Sequence, residues 1–228
     1  MALVFSMDDG RRRPSWPWVC LLLVVINLLV TAYLSLLDDS DRLRVIQSWG
    51  LVPADLVQVL QAGWQHWLSL DLLTLFTTLL LHASWLHLLG NMAYLWVFGM
   101  PLERRFGRWL LLLAFFGLGG LANLFLVLEN GRSLTPVIGA SAGVSALIGS
   151  YLGLLPGHRL GLYIPLGFYI QFARVPALIV IGSWFLLQVI YTIFGPVTGA
   201  VAWRVHVTGF LSGLIVALIL RRTLRHQL

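Results

Sequence analysis

The 228-residue chain contains no lysine, one cysteine (Cys20) and two glutamates (Glu103 and Glu129), and only 11% of its residues are charged. Each scarcity excludes something. A lone cysteine rules out an internal disulfide framework and leaves the redox compartment unread. Sparse charge beside 59% hydrophobic residues and a mean hydropathy of +0.87 excludes a soluble domain, because a fold of this size cannot hide so much apolar surface from water. Without lysine, the formal charge of +6 is carried by arginine. The arginines stand between apolar segments and form no stripe that would track a phosphate backbone, so they report membrane topology and no nucleic-acid partner. Internal repeats, low-complexity tracts and a separable soluble domain are also missing.

What is present is six apolar segments, each close to the ~20 residues needed to cross a hydrocarbon core. They run Val19–Leu37, Trp85–Phe98, Trp109–Leu128, Ala140–Leu155, Val175–Phe194 and Ala202–Leu220. The stretch Leu51–Leu81 is interrupted by Pro53, Asp55, His66 and Asp71; it reads as a structured loop with amphipathic pieces in the interface, not as a seventh span. Eleven arginines (11–13, 104, 105, 108, 159, 174, 221, 222 and 225) fall on one side of a six-span model, against Arg42, Arg44, Arg132 and Arg204 on the other. The positive-inside rule then puts both termini in the cytoplasm. The expected organisation is a cytoplasmic segment 1–18, a membrane domain 19–220 and a basic cytoplasmic tail 221–228. The basic start and long first apolar run suit an uncleaved signal anchor, and the expected location is a bacterial inner (plasma) membrane.

Polar side chains inside a bilayer are costly and therefore mark function. Four of them sit near one end of three segments: His87 and Asn91 in the second, Ser141 in the fourth and His206 in the sixth. In the six-span model these segments all run from outside inward, so the four share one shallow depth, roughly within 10 Å of the outer end at 1.5 Å per residue. His87 and Asn91, spaced i and i+4, share a helix face. Segment four is rich in small residues (Gly139, Ala140, Ala142, Gly143, Ser145, Ala146, Gly149, Gly153), and Ala202, His206, Gly209, Gly213 and Ala217 form a small-residue stripe on segment six. Small faces let membrane helices approach closely, which would bring Ser141 within reach of His206.

These are the parts for acyl transfer. A serine hydroxyl needs a base to take its proton, and histidine is the usual one. The acids near segment ends, Asp71, Glu103 and Glu129, are remote from His206, so a Ser–His dyad is expected, with the imidazole oriented by packing. Asn91, His87 and the Ser141 backbone N–H are candidate donors to an oxyanion. His82 is a candidate for the cavity mouth; His66, His158 and His226 receive no role. Gly139 to Gly143 also fits G-x-S-x-G, but that nucleophile elbow requires a strand-to-helix turn in an alternating βα chain, which this is not.

The sequence resembles the rhomboid family of intramembrane serine proteases over most of its length. LLLHASWLHLLGNMAYLWVFGMPLERRFG resembles the family's second-helix region, with its H-x-x-x-N at His87 and Asn91. VIGASAGVSALIGSYL resembles the fourth-helix nucleophile motif and puts the nucleophile at Ser141; VAWRVHVTGFLSG resembles the sixth-helix region and puts the base at His206. LGLYIPLGFYIQFARVPALIVIGSWFLLQ resembles the segment joining the fourth and fifth helices. The resemblance implies an all-α, six-transmembrane-helix rhomboid-like bundle whose first loop is partly embedded in the membrane. It also implies cleavage of transmembrane protein substrates, single-pass, at or near their spans, with no metal and no organic cofactor. The chain departs from the family pattern at Ala142, where glycine usually follows the serine, at Val205, often alanine, and at Thr208, commonly glycine; Arg204 adds a charge. These changes add bulk where segments four and six should meet, while Gly143 offers close approach on another face. The competing readings are a catalytically silent relative that binds membrane clients, and a small transporter. A transporter would spread polar groups through the full depth and favour an intramembrane acid; here they stop in the outer third.

Overall fold

The computed structural model describes residues 3–6, 16–63, 65, 69–166, 169–194 and 197–223. Among these residues the elements run β1 (Leu3–Ser6), α1 (Trp18–Leu36), α2 (Asp39–Trp49), α3 (Pro53–Gln61), α4 (Leu70–Leu80), α5 (Trp85–Phe106), α6 (Arg108–Asn130), α7 (Ser141–Leu154), β2 (Arg159–Leu166), β3 (Tyr169–Pro176), α8 (Ala177–Phe194) and α9 (Val197–Thr223). The fold is that of an all-α multi-pass membrane protein. The six apolar segments correspond to α1, α5, α6, α7, α8 and α9. By length and hydropathy α1, α6, α8 and the Trp203–Thr223 part of α9 each suffice to cross a membrane. Helix α5 meets the test together with α4 across an 84° bend, and α7 is shorter than a span. Most of the expected cytoplasmic ends, 1–18 and 221–228, together with His66 and His226, lies outside the described residues.

Helix α7 is the hub. Twelve of its fourteen residues are buried, so neighbouring helices surround it and it can be short, about 21 Å at 1.5 Å per residue. Its small side chains are what allow this. A Cβ added to Gly149 would lie 2.0 Å from the carbonyl oxygen of Phe210, and one on Gly213 would lie 2.0 Å from that of Ala146. The backbones of α7 and α9 are therefore in contact, as the small-residue faces predict, and Ala142 and Val205 are accommodated without parting them. Gly143 faces the carbonyl of Phe115 on α6, so its close approach serves a different neighbour from α9. Around this centre the outer faces are greasy: in α8 only Ala177, Ile181 and Gln188 are buried, while Leu178, Ile179, Leu186, Leu187 and Phe194 are exposed, as befits a surface for lipid.

Among its described residues the stretch Leu51–Leu81 forms the short helices α3 and α4. It is tied to the chain leading into α7: Leu51 and Val137 exchange backbone hydrogen bonds of 3.1 and 2.8 Å, and Gly139 N–H donates to the Thr78 carbonyl at 3.0 Å. Asn123 on α6 holds it from below, donating to the Leu75 carbonyl at 2.8 Å. The loop thus sets where α7 starts.

Two features lay beyond the sequence reading. The segment joining α7 and α8 is a β-hairpin, Arg159 opposite Pro176 and Leu166 opposite Tyr169, and β1 pairs antiparallel with its first strand. Paired strands satisfy their backbone groups across the ladder; Val175 and Pro176, the first two residues of the expected fifth apolar segment, belong to β3 and not to the helix. Helices α5 and α6 also carry π-helical turns at Leu95–Gly99 and Leu113–Leu118.

Glu103 joins the ends of α1 and α5. Its buried carboxylate accepts the backbone N–H of Val19 at 2.9 Å and of Cys20 at 2.7 Å, satisfying two of the free donors at the start of α1. Hydrogen bonds to a charged group are worth about 1.5–3 kcal/mol. Glu103→Ala is expected to destabilise the fold on that scale, read as a lower thermal midpoint in detergent, while the fraction still folded keeps its function.

Candidate active site

The site is assembled at one end of α5, α7 and α9. Ser84 caps α5, accepting from the His87 backbone N–H at 3.2 Å, and sets the phase that turns His87 and Asn91 inward. Ser141 is the first residue of α7, so its backbone N–H has no partner within the helix. His206 lies within α9, on the helix whose backbone touches α7. His87, Asn91, Ser141 and His206 line a single cavity of ≈ 230 Å³, closed by Tyr94, Val144, Ile148, Trp184 and Gln188 among others. The volume has room for several waters. Three helices have thus brought together the four residues singled out by sequence. No hydrogen bond joins Ser141 Oγ to His206 among the described residues; such catalytic contacts are often long in an unliganded enzyme and tighten on substrate.

The supporting shell differs from expectation in two places. His82, expected at the cavity mouth, is 3% exposed and does not line the cavity. It stands behind the site, where its Nε2 accepts from the Ala140 backbone N–H at 3.4 Å and from the Asn91 side-chain amide at 3.1 Å. This places the proton on Nδ1 and ties Asn91 to the start of α7. Burial drew it inward because the bend between α4 and α5 folds residue 82 under the Gly139 turn. Gly139 itself has φ +136°, and a Cβ there would lie 2.7 Å from His87 Cε1, so only glycine lets that ring sit against the backbone before Ser141.

The second difference concerns His206. Packing contributes, since Trp203 meets the imidazole edge-to-face with centroids 5.7 Å apart. The ring is also hydrogen-bonded: Nδ1 lies 3.0 Å from Gln188 Oε1 on α8. Gln188 escaped the sequence reading although it carried the same signal as the others, a polar side chain inside an apolar segment. Arg204 is half-exposed and pairs with Glu129 at the end of α6, 3.7 Å away; such an exposed pair adds little stability.

A rhomboid domain family model matches residues 69–223, which takes in α4 through α9 and the whole cavity. The chain belongs to the rhomboid family. A comparison with curated proteins matches none of them. Family membership agrees with the multi-pass helical architecture, and the matched region begins at the α4 segment that is anchored to the start of α7. Rhomboids are in general intramembrane serine proteases, and this member carries a serine and a histidine on the two helices that pack most closely. No group of three or more His, Cys, Asp or Glu residues suited to a metal ion occurs among the described residues.

Proposed function

We propose that this rhomboid is an intramembrane serine endopeptidase that cuts single-pass membrane proteins at or near their transmembrane segments. The observation that carries the reading is the convergence of Ser141, His206, His87 and Asn91 on one cavity. In the mechanism, His206 Nε2 takes the proton of Ser141 Oγ as the oxygen attacks the scissile carbonyl. The resulting oxyanion is held by the Ser141 backbone N–H, the free N–H of the Asn91 amide and the His87 ring. The imidazolium then gives its proton to the leaving amine as the C–N bond breaks. Water entering the cavity, deprotonated by His206, hydrolyses the acyl-enzyme and restores the serine. Each step uses groups of the chain and water alone, with no metal or organic cofactor.

In the membrane, α5, α7 and α9 begin at the outer side and both termini lie in the cytoplasm, so the cavity opens outward. Ser141 sits at the accessible end of a helix too short to span a ~30 Å core, which puts the nucleophile below the surface. The decisive experiment is cleavage of a single-span reporter by the purified protein in liposomes, with a fluorophosphonate to label the nucleophile. Wild type that cuts and labels supports the reading; folded wild type that does neither refutes it. Asn91→Ala is expected to lower kcat by about 10²–10³-fold, the usual loss for one oxyanion donor, as measured on the same reporter.

The second reading, a silent client-binding relative, is favoured by two observations: Ser141 and His206 share the cavity without a hydrogen bond, and Ala142 and Val205 are buried where their helices meet. It predicts co-purification with membrane clients that remain uncut.

A further inference from the structure

The geometry points to Gln188 as the positioning residue of the His206 base, holding the imidazole in the one neutral tautomer that can deprotonate Ser141. This rests on the protease reading. Helix α8 is the most lipid-exposed of the candidate spans, with 17% of its window buried. Its inner stripe is narrow, Ala177, Ile181 and Gln188, so the helix spends one of few inward positions on an amide. A primary amide in that setting is costly unless paired, and its oxygen is paired with His206 Nδ1 at 3.0 Å.

The chemistry assigns the rest. An amide oxygen only accepts, so Nδ1 must carry the ring proton. Nε2 is then left with its lone pair, the state a general base requires. When Nε2 takes the serine proton, the Nδ1–H···Oε1 bond persists and faces a fuller positive charge, so it strengthens as charge develops. Gln188 remains neutral throughout and transfers no proton. In a triad a carboxylate performs this orienting task; here a neutral amide does so from α8, where an ionised acid would be far more expensive to bury. At about 1.5 Å per residue, Gln188 lies roughly 9 Å from the α8 end that leads into α9, the shallow depth shared by the other four polar residues. Trp203, packed on the ring edge-to-face, restricts its tilt but cannot select which nitrogen is protonated.

The test has two arms. Nitrogen-15 NMR of the full chain labelled at histidine, with His206 assigned by comparison with His206→Ala, reads the tautomer directly and needs no activity. Wild type is expected to be protonated at Nδ1, and Gln188→Leu, which keeps a side chain of similar size without the amide, to lose that preference. On the reporter, Gln188→Leu should lower kcat by about 10- to 100-fold, the scale of losing an orienting partner, with KM changed far less and fluorophosphonate labelling slowed in parallel. Gln188→Glu, which keeps an acceptor oxygen in place, should recover most of the loss. A wild-type ring protonated at Nε2 overturns the proposal. So does a Gln188→Leu variant with wild-type tautomer and kcat, or one in which kcat falls while the tautomer holds. Wild type with the Nδ1 proton in place that neither cuts nor labels refutes the protease reading separately, and the catalytic role of Gln188 falls with it.

Discussion

Ser141→Ala and His206→Ala are each expected to reduce reporter cleavage by about 10⁴-fold or more, the scale on which nucleophile and base removal act in serine proteases. The two losses should not add. Once the serine is gone the base has no proton to take, and once the base is gone the hydroxyl is a weak nucleophile, so the double variant should match the worse single one. Fluorophosphonate labelling separates the roles: Ser141→Ala loses it by losing the atom that reacts, and His206→Ala loses it by leaving that atom unactivated. Neither change should unfold the protein: both side chains face the cavity, and His206→Ala removes in addition only the partner of the Gln188 amide, a cost of about 1–3 kcal/mol. Thermal midpoints close to wild type alongside lost cleavage establish that chemistry, not folding, has been removed. Retained cleavage in either variant would move the nucleophile or base elsewhere in the chain.

The second large effect concerns the contact that carries those two residues. Gly149→Ala and Gly213→Ala each set a methyl group against a backbone carbonyl at 2.0 Å. Unlike a side chain, a helix backbone cannot rotate aside, so α7 and α9 must separate along their length. Each substitution is expected to cost more than about 3 kcal/mol, the upper end for overpacking where neighbours can still relax. Because Ser141 and His206 ride on the two helices, activity should fall in whatever fraction remains folded. Gly182→Ala in α8 is the control: nothing lies within 4 Å of its added Cβ, and replacing an unconstrained helical glycine should be neutral or stabilising by up to about 1 kcal/mol. Thermal unfolding in detergent ranks the three. Equal midpoints for all would show that the close approach of α7 and α9 is unimportant to the fold.

Much of this architecture could be read without coordinates because lipid is a demanding solvent. Apolar runs in a bilayer become helices, since no other open-chain structure satisfies the backbone there, and five of the six helix starts lie within two residues of the expected segment starts; the sixth, α9, begins five residues early at Val197. Ser141, His206, His87 and Asn91 stood out for the same reason, as polar groups where hydrocarbon is expected. Outside the membrane that signal weakens. The residues between α7 and α8 form a hairpin for which the sequence reading gave no secondary structure, because strand pairing there joins residues up to 17 positions apart and leaves no mark as plain as an apolar run. Gln188 was missed for a different reason: one polar residue in an apolar segment is ambiguous until its neighbour is known.

The sequence alone thus carried the class of protein, the order of its apolar segments, the close packing of α7 on α9 and the family. These follow from local composition and spacing. Only the tertiary structure decided which residues support the site: that His82 lies buried behind Asn91 and Ala140, that Gly143 serves α6, and that an amide on α8 meets the imidazole on α9. Each of those facts depends on a rotation or a depth of one helix relative to another. Such relations are set by packing between residues distant in sequence, which the pattern along any one helix does not contain.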